Sequence, residues 1–124
     1  MVTPDELERQ HTLQTATARY DELRAREALA PPVAREDALE LLALSEVIAR
    51  KAGYGRQLSV RSARSAGASW SQIGAALGTS KQAAWEAHGR WIDGQAEQHR
   101  RSGYEGFSER EAATARALAG EPAD

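Results

Sequence analysis

Between Gly67 and Gln82 two helix-start signals stand on either side of a single glycine, and this spacing constrains the fold more than any other feature of the chain. Ser69-Trp70-Ser71-Gln72 puts a serine at an N-cap position with a glutamine three residues on. In that pairing each side chain satisfies a backbone amide left free at a helix start. Ile73 and Leu77 then fall one turn apart on the expected inner face, while Gly74 and Ala76 keep the surface small enough for a neighbouring helix to approach closely. Gly78 follows at once, where a left-handed backbone turn needs a residue without a Cβ. Thr79-Ser80-Lys81-Gln82 restarts the pattern with a Thr/Ser cap and Gln82 three residues after Thr79. Helix, tight turn and helix therefore succeed one another without spare residues. Upstream, Arg56 to Ala66 carries Val60, Ala63 and Ala66 at helical spacing and ends at Gly67, a residue favoured just past helix C-termini. Residues 56–92 are expected to form a module of three short helices, the last ending near Trp91.

What flanks this module also reads as helix. From Pro4 to Ala30 no residue breaks a helix, and Thr3, Pro4 and Glu6 make a capping-box start. Leu13, Ala16, Tyr20, Leu23 and Ala30 form a narrow apolar stripe. Pro31-Pro32 forces a break, because neither proline donates an amide and each pushes the preceding residue out of helical conformation. A second helix is expected from about Ala34 to Lys51, with Ala38, Leu41, Leu42, Leu44, Ser45 and Ile48 along one broad side and Val47 nearby. Gly53-Tyr54-Gly55 reads as a stop, since two glycines cost roughly 2 kcal/mol of helix propensity, although a continuous kinked helix is the alternative. Residues 1–52 thus read as a helical hairpin able to cover the module, to meet a second copy of itself, or both. In the extension, 93–124, Gly103-Tyr104-Glu105-Gly106-Phe107 reads as a loop with two aromatics that dock onto the body. Ser108 to Glu111 is a further capping box, opening a helix that stops at Gly120 ahead of a frayed acidic tail, Glu121 to Asp124. Hydrophobic content of 41% with only 6% aromatics favours packed helices over sheet. The expected class is all-α: an N-terminal helical hairpin, a helix-turn-helix trihelical module and a short C-terminal helix.

Several function classes find no support. With no cysteine there are no disulfides or thiolate metal sites, and 124 residues leave little room for an elaborate active site. No run of ~18 apolar residues offers a membrane span, and Met1 to Glu6 lacks the basic and apolar segments of a signal peptide, so a cytoplasmic location is expected. His88 and His99 can share a helix face but match no metal motif, and His11 is isolated. Structural histidines, no cofactor, no metal and no enzymatic activity are the expectation. The net charge of −2 conceals a division. Residues 1–48 carry five Arg against ten acids, residues 49–101 nine Lys/Arg against three, and residues 102–124 two Arg against five. A basic block (+6) lies between acidic ones (−5 and −3). It reads either as a nucleic-acid face or as an ordinary solvated surface.

The run Gly67-Ala68-Ser69-Trp70-Ser71-Gln72-Ile73-Gly74-Ala75-Ala76-Leu77-Gly78-Thr79-Ser80-Lys81-Gln82-Ala83-Ala84-Trp85 resembles the helix-turn-helix of sigma-factor region-4-like and small bacterial transcriptional regulators. In that family the positions matched by Ile73, Gly74, Leu77 and Gly78 are structural. Thr79 departs from it, standing where a branched aliphatic is commoner, as do Ala84 and Ala87, where larger core residues are usual. The resemblance implies DNA binding and regulation of transcription in a bacterium.

An α-helix fits the major groove, and its N-terminal residues reach base edges. Ser80, with its backbone amide, is a candidate to hold a phosphate, Lys81 to contact phosphate or guanine, and Gln82 to pair with adenine. Trp85 is a candidate for a thymine methyl or sugar, or else for packing between helices. Glu86 can accept from cytosine or repel the backbone. Arg56, Arg61, Arg64 and Arg90 are candidate phosphate contacts, each of which also reads as a surface arginine; about five contacts in all would give a log–log salt slope of roughly −4 to −5. Trp70 and Trp91 are assigned to packing. One such module offers few base contacts, so a homodimer on two half-sites of double-stranded DNA is expected, with the hairpin as its natural interface. The alternative is a protein-interaction module that keeps the helix-turn-helix as a scaffold and binds a protein partner through its acidic arms, the N-terminal helices among them.

Overall fold

A computed structural model of the chain describes residues 2–123, in which all regular structure is helical, as the composition leads one to expect. Among the described residues there are seven helices: α1 (Pro4–Gln10), α2 (Leu13–Leu29), α3 (Arg35–Tyr54), α4 (Arg56–Ser65), α5 (Trp70–Leu77), α6 (Lys81–Ser102) and α7 (Glu109–Ala119). They fall into two compact units, residues 1–55 and residues 56–124.

In the first unit the expected hairpin is a three-helix arrangement. The helix anticipated from Pro4 to Ala30 is interrupted at His11-Thr12, both in extended conformation. The Thr12 hydroxyl accepts the Thr15 amide at 3.1 Å, and the Thr15 hydroxyl accepts the Thr12 amide at 3.0 Å. This is a reciprocal cap built from two threonines rather than from a threonine and a glutamate. The break lets α1 fold back on α3 and bury Leu7, which is 5% exposed and belongs to one core with Ala16, Leu23, Leu41, Ala43, Leu44 and Val47. Each leucine so buried stabilises by about 1.5–3 kcal/mol. Arg19 ties α2 to α3 through a two-pronged contact with Glu40 at 2.7 and 3.0 Å, which holds the Glu40 carboxyl below its usual range. Arg50 ties α3 to α1 through Asp5 and Glu8. Helix α3 also outruns the expected stop, passing through Gly53 to Tyr54, whose hydroxyl donates to Glu8. Leu13 and Ala30, assigned to the buried stripe, are exposed, and Leu42 is 67% exposed.

The second unit runs from α4 to α7. Its core gathers Val60, Trp70, Ile73, Ala84, Ile92, Ala96 and three alanines of α7, Ala112, Ala115 and Ala119. The alanine-rich last helix, for which the sequence assigns no packing face, thus closes over α4 and α6. Expected to stop near Trp91, α6 instead runs on to Ser102, 22 residues in all, because Ile92 and Ala96 extend the buried line of Ala84 and His88 beneath α7. A boundary at residue 92 would fall inside this helix. Leu77, read as inner-face, is 38% exposed at the end of α5. After α6, Gly103 and Gly106 take left-handed backbone conformations, and the Phe107 amide donates to the Gln95 carbonyl at 2.9 Å. A Cβ on Gly106 would collide with that same carbonyl. Phe107 thereby meets the Trp91 ring edge-on, with centroids 5.3 Å apart.

Candidate nucleic-acid interface

The site is built on the joint between α5 and α6. Ser69 caps α5 as its sequence predicts, accepting the Gln72 amide at 3.1 Å while the Gln72 side chain accepts the Ser69 amide at 2.9 Å. Helix α5 ends at Gly78, which is left-handed with φ 72° and ψ 30°. The Thr79 amide then returns to the Gly74 carbonyl at 2.8 Å. A Cβ on Gly74 would lie 2.8 Å from the Thr79 oxygen, 2.9 Å from the Ser80 carbonyl carbon and 3.0 Å from the Lys81 nitrogen. Backbone lies directly on backbone here, so a glycine in the middle of α5 is a steric requirement of the turn.

Ser80, not Thr79, is the cap of α6, accepting the Ala83 amide at 3.1 Å. The expected Thr79/Gln82 box does not form, because the residue three positions after the true cap is an alanine. Gln82 instead donates through Nε2 to Glu86 Oε1 at 2.9 Å. Helix α6 has two sides. Ala84, His88, Ile92 and Ala96 are buried, whereas Lys81, Gln82, Glu86 and Arg90 are exposed, following Ser80 and the positive end of the helix dipole. Five of the nine candidate residues are therefore brought to one helix end or face.

The other four are distributed differently. Trp85 is half-buried, and its indole N–H donates to the Gly120 carbonyl at 2.7 Å, the contact that the packing alternative expects. Together with the Trp70 indole, which donates to the Ala119 carbonyl at 2.7 Å, it pins the end of α7. Arg61 lies over the Trp91 and Phe107 rings, 5.9 and 5.5 Å from their centroids. Arg64 donates to the Ala68 and Leu118 carbonyls at 3.1 and 3.2 Å and sits 5.2 Å from the Trp70 centroid. Both guanidinium groups are thus engaged within the chain, holding α4 against its neighbours. Arg56 is exposed at the start of α4. Other members of the basic block are also engaged: Arg50 with Asp5, Glu8 and Glu46, and Arg100 and Arg101 with Glu97. Among the described residues Arg56, Lys81 and Arg90 take part in no ion pair.

His88 fulfils the structural role expected of it. It is 1% exposed, between Trp70 and Trp91 at centroid distances of 5.6 and 5.3 Å. Its Nδ1 lies 2.9 Å from Gln57 Oε1, an acceptor, so Nδ1 carries the hydrogen. Burial pushes its pKa below the usual histidine value, and the nearby Arg61 and Arg64 push the same way. Gln57 drew no notice in the sequence. The signal lay in His88 itself, four residues from both Ala84 and Ile92 on an apolar line, where a buried imidazole must find a polar neighbour.

Among the described residues no group of three or more His, Cys, Asp or Glu side chains is arranged to hold a metal, and no helix is long and apolar enough to cross a membrane. No protein-family model, curated protein or solved structure matches the chain.

Proposed function

We propose that the chain binds double-stranded DNA by laying the N-terminal half of α6 in the major groove, and that it does so as a homodimeric transcriptional regulator of the sigma-factor region-4-like kind, working in the bacterial cytoplasm. The observation that carries this reading is the close approach of Gly74 to the Thr79–Lys81 backbone. That approach fixes a tight turn after which Lys81 is exposed at the first position of α6 and Gln82, Glu86 and Arg90 are exposed along it, away from the buried line. Donors, acceptors and a cation at a helix N-terminus, with Arg90 further along the same helix, are what base edges and phosphates require. If Arg56, Lys81 and Arg90, the exposed candidate cations, each meet a phosphate, a unit neutralises about three, for a log–log salt slope of about −2.7 per unit and about twice that for a pair. Pairing is supported by the first unit, where Leu42 stands 67% exposed in a groove whose apolar residues Tyr20, Val33, Ala38 and Leu41 are flanked by Arg24, Glu27 and Ser45.

Fluorescence anisotropy with a randomised duplex pool at several salt concentrations, followed by sequencing of the bound fraction, tests the proposal. Enrichment of an inverted repeat with a steep salt dependence is expected. No binding at low salt by the folded protein overturns it and selects the second reading, in which the Leu42 face docks another protein and α5–α6 is a scaffold.

A further inference from the structure

We propose that Glu86 is a positioning residue that presets Gln82 to read adenine, so that one step of the bound site is held to an A·T pair; the inference rests on the DNA-binding reading above. Gln82 and Glu86 lie one turn apart on the exposed side of α6, and Gln82 Nε2 donates to Glu86 Oε1 at 2.9 Å. A carboxylate only accepts, so the amide must turn its nitrogen, never its oxygen, towards Glu86. One of the two N–H bonds is thereby used. With the N–H anti to Oε1 given to Glu86, the edge that remains has one donor and one acceptor, the syn N–H beside Oε1.

Adenine alone among the bases complements that edge in the major groove, offering N7 as acceptor and the N6 amino group as donor. Guanine offers two acceptors, N7 and O6, so Oε1 would face a lone pair. Cytosine and thymine each give a single partner. A glutamine free to rotate pays its side-chain ordering entropy when it meets the base, whereas the carboxylate has already restricted this one. Lys81 and Arg90, which flank the pair in sequence, make no ion pair among the described residues, so neither competes for the Glu86 carboxylate within the described structure.

The test is selection from a randomised duplex pool by the full chain, in parallel for the wild type, Gln82→Ala, Glu86→Ala and Glu86→Gln. Glu86 is exposed, so its replacement leaves the core intact. The wild type is expected to enrich a site with an A·T pair at a step that Gln82→Ala leaves unselected. Glu86→Ala should reduce A·T over G·C preference at that step about five- to tenfold, within the range one two-pronged base contact supplies, while other positions stay unchanged. Glu86→Gln keeps an acceptor but its amide can also donate, so it fixes the Gln82 orientation only in part and should fall between Glu86→Ala and the wild type. Undiminished adenine preference in Glu86→Ala, or equal loss in both Glu86 variants, overturns the inference and leaves DNA binding standing. A wild type that binds duplex without any Gln82-dependent adenine step overturns it in the same way. Absence of binding at low salt removes both readings together.

Discussion

Replacing one helical glycine by alanine should have opposite consequences at two positions of the second unit. At Gly94, in the exposed middle of α6, a new Cβ meets nothing within 4 Å. The change then reads out helix propensity alone and should stabilise by about 1 kcal/mol. At Gly74 the same propensity gain applies, but the Cβ would lie 2.8 to 3.0 Å from three backbone atoms of the turn. None is the free end of a side chain, so relief requires α5 and α6 to part by several tenths of an ångström. Overpacking of this kind costs about 1–3 kcal/mol, and contact with rigid backbone places it in the upper half of that range. The net expectation for Gly74→Ala is a loss of about 1–2 kcal/mol, some 2–3 kcal/mol away from Gly94→Ala. Tryptophan fluorescence during urea denaturation is the assay, because all three tryptophans, Trp70, Trp85 and Trp91, lie in this unit. Gly74→Ala should also weaken DNA binding, since parting the helices moves Lys81 and Gln82. A Gly74→Ala protein as stable as the wild type would refute the claim that glycine is needed there.

Because burial, with Arg61 and Arg64 nearby, lowers the His88 pKa below that of the unfolded chain, the unfolded state takes up the extra proton and stability rises with pH between the two values. Unfolding free energy of the second unit should be level above pH ~6.5 and fall on acidification below it, and Glu111 and Glu97, whose pKa values are lowered, act only below the usual carboxylate range. His88→Gln should flatten the stretch between pH 7 and 5.5 in fluorescence-monitored denaturation; an unchanged slope would count against the burial argument. Lys81→Ala should reduce the salt slope of DNA binding by about one at unchanged stability, whereas Arg61→Ala should keep the slope and lose about 0.5–2 kcal/mol of stability through its aromatic contacts. Finally, Leu42→Glu, on an exposed position, should leave the fold intact and convert a dimer to a monomer by light scattering; an unaltered mass would move the interface elsewhere.

Local backbone chemistry was what the sequence expressed most clearly. The Ser69/Gln72 and Ser108/Glu111 boxes and the left-handed Gly78 were readable because each is decided within four residues. The break at Thr12 escaped notice because its reciprocal partner is a threonine, which forms the same pair of bonds with a shorter side chain. Helix extents differ where contacts beyond a glycine outweigh its propensity cost of about 1 kcal/mol: past Gly53 the Tyr54 hydroxyl reaches Glu8, and past Gly94 Ala96 is buried. Side-chain allocation was the least legible. A periodic pattern does not distinguish the outward Leu42 from the inward Leu41, and charge counting does not reveal that Arg61 and Arg64 lie on indole and phenyl rings.

That allocation bears directly on the proposal that a chain of net charge −2 binds a polyanion. Residues 56–124 carry nine Lys/Arg and eight Asp/Glu, so the unit has no general attraction for phosphate. Two of its arginines, Arg61 and Arg64, brace the core, and Arg100, Arg101 and Arg116 are matched to Glu97 and Asp93. With about three phosphate contacts, one unit would lose some fortyfold in affinity between 50 and 200 mM salt from a start that is already modest. Affinity at physiological salt must then come from elsewhere, and the two sources available are base-edge contacts from Lys81 and Gln82 and the joining of two units. This explains why the proposed reading needs both the Leu42 surface of the first unit and the Gln82–Glu86 pair of the second: a weakly basic module has to gain by specificity and by pairing what it lacks in charge.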